Sequence, residues 1–303
     1  DKIISTAFGI LNNSIDGAIS RLDTLNNYPK VMSNLGISSE DAQKSISKMS
    51  DKLSGLPTTL DEGALAVQRF TSKNNDVAKS TDYFLALNNA ILAGGAGTEI
   101  QSSALEQLSQ SYAKGSMDMM EWRTLQMAMP AQLNQVAKAM GMTTEAVGAG
   151  LRGADKDVAY VRDVTMEEFM DAIVRLNQEG ADGFTSFEEQ ARNSTGGIAT
   201  SITVAKTQIV KGVANIINSL DQFLKDEGLG GIGEIISNIG KKSKEVLDYV
   251  AQKLPKTIKF LKDIAPVVAA ITTAFIVFKG ALAIKDIIKS VRQSFVLLNA
   301  TLA

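Results

Sequence analysis

Apolar side chains recur at steps of three and four residues in stretch after stretch of this chain, and that spacing constrains the fold more than any other feature. Ile4, Phe8, Leu11, Ile15, Ala18, Ile19, Leu22 and Leu25 fall on one face of a helix. The same rhythm returns in Ala42, Ile46, Met49 and Leu53, and in Phe169, Ile173 and Leu176. It runs longest through Ile198, Ile202, Ala205, Ile209, Val213, Ile216, Leu220 and Leu224. A half-buried strand would alternate in twos, and only residues 157–164 hint at one. With 5 Pro in 303 residues and abundant Ala, Leu, Ile, Lys and Gln, the expected fold class is all-α.

Helix breakers divide that pattern unevenly. Tyr28-Pro29 is expected to end the first helix. Ser38 three residues before Asp41, Thr59 before Glu62, and Thr165 before Glu168 carry the side chains that satisfy free amides in a first turn. A helix over residues 77–93 closes on Gly94-Gly95-Ala96-Gly97, and the next one meets Gly115, because glycine supplies the left-handed conformation of many helix ends. After Ser194-Thr195-Gly196-Gly197 a much longer helix begins. A joint at Gly228, Gly230, Gly231 and Gly233 follows, then a Lys-rich stretch, Pro255, Pro266 and an apolar end. The spacing of these breakers predicts an amphipathic entering helix over 1–29 and a compact multi-helix domain over 30–190. It further predicts a long, coiled-coil-like helix over 191–227, a Gly-hinged Lys-rich region over 228–263 and an apolar helix over 264–303.

Composition removes several function classes. There is no Cys and no His, which excludes thiol nucleophiles, disulfides, Cys/His zinc sites and the side chain best suited to proton transfer near neutral pH. No catalytic residue, cofactor site or metal site is expected. The net charge of −2 conceals a division: residues 1–240 carry 20 basic and 29 acidic side chains, residues 241–303 carry 11 and 4. Two different surroundings are implied. The opening Asp1 and a last stretch that is still apolar and helix-like are the expected marks of an internal fragment.

Seven of the 11 Met lie between Met117 and Met142, around the only Trp. Met117, Met120, Trp122, Met127 and Met129 are a candidate partner surface, since thioethers adapt to irregular shapes. The other reading of the same residues is a helix-hairpin core built on Trp122, Leu125, Met129, Leu133 and Val136. This stretch, QLSQSYAKGSMDMMEWRTLQMAMPAQLNQVAKAMG over 107–141, resembles the N-terminal domain of the phage tail tape measure family. The likeness falls on Gln107-Leu108-Ser109-Gln110, Lys114-Gly115, Glu121-Trp122-Arg123, Leu125, Pro130 and Gly141. It extends through Thr165-Met166-Glu167-Glu168-Phe169 and the long helix, covering about residues 30–225.

The resemblance implies a chain packed inside a phage or phage-like tail tube, whose helical length sets tube length and which leaves before DNA passes. It implies contacts with tail tube and tail tip proteins and a place in the virion, and the apolar stripes of the flanking helices are expected to be buried by self-association as a trimer inside a three- or six-fold tube. The host membrane is a further implied partner during genome ejection; no sequence-specific nucleic acid is. Two other readings remain open, a membrane-active pore or injection component and a helical toxin or secretion-system protein.

The remaining motifs divide between function and scaffold. Gly94 to Thr98 lacks the Lys-Ser/Thr of a phosphate loop, because Thr98-Glu99 follows. Asp61-Glu62, Glu167-Glu168 and Glu188-Glu189 are adjacent on helices, so each pair points about 100° apart and fits a first helical turn rather than a glycosidase pair. Residues 264–284 carry one charge, Lys279, and as a helix would span roughly 31 Å, enough for a bilayer core. Ile264, Val268, Ile271, Phe275, Phe278 and Ile284 are therefore a candidate membrane segment, with a buried bundle helix as the alternative. Lys253, Lys256, Lys259 and Lys262 recur every third residue, as a solvated face or as contacts for anionic headgroups or phosphate.

Overall fold

The computed structural model describes residues 2–153, 162–181, 183–195, 198–226, 228, 231 and 234. Among them are eleven helices and no strand. They are α1 (Lys2–Ser33), α2 (Ser39–Lys52), α3 (Leu60–Asn74), α4 (Val77–Ala93), α5 (Thr98–Lys114), α6 (Met119–Ala128), α7 (Pro130–Ala139), α8 (Thr144–Leu151), α9 (Met166–Glu179), α10 (Phe187–Ser194) and α11 (Ile198–Asp226). The strand hint at 157–164 lies mostly outside the described residues. Arg162, Asp163 and Val164 are neither helix nor strand. The one isolated bridge described joins Ala181 to Phe184.

Two units are separated by their packing, Asp23–Val204 and another that takes in α1 up to Leu22 and α11 from Ala205. In the second unit, Ala18 of α1 is buried with Val213 and Ala214 of α11, and Leu22 and Ile217 pack beside them. Gly17 admits this approach, since a Cβ there would lie 3.1 Å from Val210 Cγ2.

The larger unit is organised around α4. Every residue from Tyr83 to Leu92 is buried, and α2, α3, α5, α9 and α10 all pack against this helix. A helix without a solvent face must satisfy its polar groups inside. Thr81 Oγ1 donates to Val77 O at 2.6 Å and lies 2.6 Å from Ser45 Oγ, which in turn lies 2.8 Å from Tyr28 OH. That chain of hydroxyls joins α1, α2 and α4. On the other side Tyr83 OH donates to Asp171 Oδ1 at 2.6 Å, and Asn89 Nδ2 donates to Asn177 Oδ1 at 2.9 Å, fixing α9. Phe70, Tyr83 and Tyr112, from α3, α4 and α5, meet edge to face at centroid distances of 5.1 to 6.1 Å.

The expected stop at Tyr28-Pro29 is corrected, because α1 continues through Pro29 to Ser33. Proline removes one backbone bond and crowds the preceding turn, at about 3 kcal/mol. Tyr28 and Met32, 4 % and 0 % exposed, are buried in the core of the larger unit. Burying two such side chains contributes about 1.5–3 kcal/mol each, enough to hold the helix through the proline. The anticipated caps form as read: Asp41 N donates to Ser38 Oγ at 3.1 Å and Glu168 N to Thr165 Oγ1 at 3.1 Å. Thr59 and Glu62 make a reciprocal capping box.

Truncation of the central helix should be far more damaging than truncation on the surface. Leu87→Ala is expected to cost about 2–5 kcal/mol, whereas the exposed Met120→Ala stays within about 0.5 kcal/mol; urea denaturation midpoints measure both. Alkali is a second probe. Burial holds the Tyr83 phenol above its ordinary range, aided by the Asp171 carboxylate, and burial raises Tyr28 against a lowering by Ser45. Groups raised in the folded state stabilise it below their unfolded pKa, about 10 for tyrosine, and that contribution is lost as pH climbs towards the folded value. Stability is expected to fall above about pH 10, and less steeply in Tyr28→Phe and Tyr83→Phe, as read from denaturation midpoints against pH.

Candidate functional site

The stretch over 107–141 folds as three helices and two tight stops. α5 ends on Gly115 at φ 83°, whose N–H donates to Ser111 O at 2.8 Å and Tyr112 O at 3.1 Å. Left-handed backbone there suits glycine and strains other residues. Asp118 then caps α6, its Oδ1 accepting from Met120 N and Glu121 N at 2.9 Å, while Glu121 Oε2 accepts from Asp118 N at 2.7 Å. Lys114 Nζ reaches the same Glu121 carboxylate at 3.3 and 3.4 Å. The first residue of α7 is Pro130, where its missing N–H costs no helical bond.

Trp122 is buried against Gly148 of α8, and a Cβ at Gly148 would come within 2.3 Å of the indole. Leu125, Met129, Leu133 and Val136 complete the same buried surface. The structure thus divides the candidate partner set. Met117, Trp122 and Met129 are 3 %, 3 % and 0 % exposed and belong to the core, whereas Met120 and Met127 are 74 % and 64 % exposed on the outer side of α6, with Met119 beside them at 47 %. The candidate membrane residues Ile264, Val268, Ile271, Phe275, Phe278 and Ile284, and Lys253, Lys256, Lys259 and Lys262, lie outside the described residues. Among the described residues no helix is long and apolar enough to cross a membrane.

The adjacent carboxylates occupy first turns and ion pairs. Glu62 completes the α3 cap and accepts from Ser102 Oγ at 2.6 Å. Glu167 pairs with Lys79, and Arg162 forks onto both oxygens of Glu168 at 2.8 and 2.5 Å, holding that carboxyl below the usual range. Burial would raise Glu188, but Lys52 at 3.0 Å and Arg192 at 3.3 Å outweigh it and leave the group lowered. No group of His, Cys, Asp or Glu among the described residues is placed to hold a metal.

Close approaches at glycine escaped the sequence reading, those at Gly94 and Gly148 among them. Gly94 is right-handed, and Gly95, at φ 70°, makes the turn; what Gly94 provides is room, since a Cβ there would stand 2.0 Å from Ala128 O. Gly94, the C-cap of α4, therefore abuts backbone at the α6–α7 junction. Gly148 is another. Its neighbours in the run Ala146-Val147-Gly148-Ala149-Gly150 are small, which is the only sequence signal of a helix approached this closely.

Caps, stops and a buried tryptophan, with acids consumed at helix ends and in ion pairs, define a helical scaffold unit. The chain belongs to the tape measure protein family: the family model described as "Tape measure protein" matches residues 16–218 of the 303. No curated protein and no solved structure matches it. Membership makes it a structural phage protein, a component that determines tail length in the tail of the virion, with other tail components as partners.

The Trp122–Gly148 contact is testable by substitution. Gly148→Val overpacks the indole and is expected to cost about 1–3 kcal/mol, with a red shift in the emission of the single Trp. Adding Trp122→Leu should recover part of that loss, read as a coupling in a double-mutant denaturation cycle.

Proposed function

We propose that the larger unit is an anchoring or assembly domain that flanks the length-setting part of a tail tape measure protein. Its compactness carries the reading. Drawn as one continuous helix, residues 23–204 would reach roughly 270 Å at about 1.5 Å per residue, whereas a packed domain of that length has a radius of gyration of about 16 Å. A ruler gains nothing from giving up that length, while a docking unit gains a defined surface. Exposed Met119, Met120 and Met127 on α6 are the flexible apolar contacts such a surface would use towards tail tube or tail tip proteins.

The helices α1 and α11 continue this reading in another register. Among the described residues Ala18, Val213 and Ala214 form a shared core, and Ile19 remains 46 % exposed. The apolar stripes read in the sequence along both helices would be buried by further copies of the pair, and a trimer suits a three- or six-fold tube. Within a tail, residues 264–284 would act at the host membrane during genome ejection, with Lys253, Lys256, Lys259 and Lys262 towards anionic headgroups.

Excision of residues 30–190 from the gene in its phage is expected to abolish tail formation. Electron microscopy that instead shows intact tails shortened in proportion to the deletion would assign the unit to the ruler. A synthetic peptide of residues 264–284 is expected to insert into liposomes as a helix by circular dichroism, and failure to insert removes the membrane step.

A further inference from the structure

We propose that the outer side of α6 is a site of reversible methionine oxidation, at which a peroxide converts Met119, Met120 and Met127 to sulfoxides while the methionines of the core are spared. The chain has 11 Met and no Cys, so thioethers are the only sulfur it offers to an oxidant. Access then ranks these chemically alike groups. Met32, Met49, Met117, Met129, Met166 and Met170 are buried, and Met140 and Met142 are partly buried against the core. Met119, Met120 and Met127 are the exposed ones.

The helix gathers the three on one side. Counted from Arg123, Met119 lies four residues back, Met120 three back and Met127 four ahead, the spacings at which side chains on a helix are neighbours. Trp122, Leu125 and Ala128 take the buried side. Oxidation adds one oxygen to each sulfur. A sulfur lone pair attacks one oxygen of hydrogen peroxide and the O–O bond breaks. The proton on the transferred oxygen passes to the departing hydroxide, which leaves as water. The sulfur is oxidised and the peroxide reduced, with nothing left over.

A sulfoxide oxygen accepts hydrogen bonds. On the outer side of α6 it meets water and the exposed Arg123, whose guanidinium only donates. In the core the same oxygen would be buried among apolar side chains, where an unmatched acceptor is costly. Oxidation of α6 therefore leaves the fold in place and changes its surface, replacing flexible apolar groups by polar ones. Where that surface meets a tail protein, oxidation weakens the contact and a methionine sulfoxide reductase restores it; this consequence rests on the assembly role proposed above, and the oxidation site itself does not.

The test treats the full 303-residue chain with hydrogen peroxide and follows each methionine by peptide mass spectrometry over time. Met119, Met120 and Met127 are expected to gain oxygen at least about tenfold faster than Met32, Met49, Met129 and Met170, which react only when the core opens. Circular dichroism is expected to stay unchanged at that stage, and added reductase to return the three to thioethers. In Met119→Leu/Met120→Leu/Met127→Leu the fast phase of oxygen uptake is expected to vanish. Comparable rates at the core methionines, loss of helix once the three are oxidised, sulfoxides that the reductase cannot reach, or a fast phase that persists in the triple variant would each overturn the proposal. These rates are read on the free chain, so they hold or fail independently of the assembly role, which excision of residues 30–190 tests.

Discussion

A helix buried on all sides is the constraint from which the rest of the larger unit follows. α4 has no solvent face between Tyr83 and Leu92, so its neighbours must supply partners as well as apolar surface. Leu85, Leu87 and Ile91 would be satisfied by many packings, because apolar contacts are tolerant of rearrangement. Thr81, Tyr83 and Asn89 would not. Thr81 reaches Tyr28 through Ser45, and Tyr83 and Asn89 bind two residues of α9 spaced by six, Asp171 and Asn177. A one-residue slip of α9 would leave two buried groups without partners, so these bonds select one register out of several of similar burial.

The same logic explains why the most recognisable stretch of the chain is chemically quiet. Lys114, Gly115, Asp118, Glu121 and Trp122 read as a motif because each completes a different part of one local construction. Gly115 turns the chain, Asp118 and Glu121 cap each other's amides, Lys114 neutralises Glu121, and Trp122 lies in the space that Gly148 leaves open. Changing any one of them disturbs a helix start or a helix crossing. A structural family can therefore carry a distinctive signature with no group poised for reaction, and the function has to be sought in surfaces and in length.

Helix identity was legible from local rules, and tertiary closeness was not. Ser38, Thr59 and Thr165 stood in cap positions, the apolar rows from Ala42 to Leu53 and from Phe169 to Leu176 are buried, and residues 77–93 form the helix their breakers bound. Asp118 ahead of Glu121 obeys the same capping rule and was readable in the same way. Pro29 misled because a local cost was weighed without the distant burial of Tyr28 and Met32 that offsets it. The methionine cluster divided for a related reason. Met117 and Met129 are buried while Met120 and Met127 are exposed, and composition cannot distinguish the two sides of a ten-residue helix whose partner is unknown. Asn88 is the extreme case: in the sequence it is one of two adjacent polar residues in an apolar run, and its bond to Thr58 comes from a residue 30 positions away.

Length determination sets one requirement and assembly another, and the proposed function assigns them to different parts of the sequence. A length standard works through rise per residue, so it favours long uninterrupted helix; α11, at 29 residues, extends roughly 43 Å without an internal proline. A unit that positions such a helix needs the opposite, a rigid body whose surface is the same in every copy. Short helices joined by left-handed glycines at Gly36, Gly55, Gly95, Gly115 and Gly141 provide that body, because each stop fixes a direction change at a defined residue. Glycine stops are harmful in a ruler, where each one forfeits helical rise, and useful in a positioning domain. Their presence through the larger unit and their absence inside the apolar rhythm of α11 are the physical reason behind the proposed division of work.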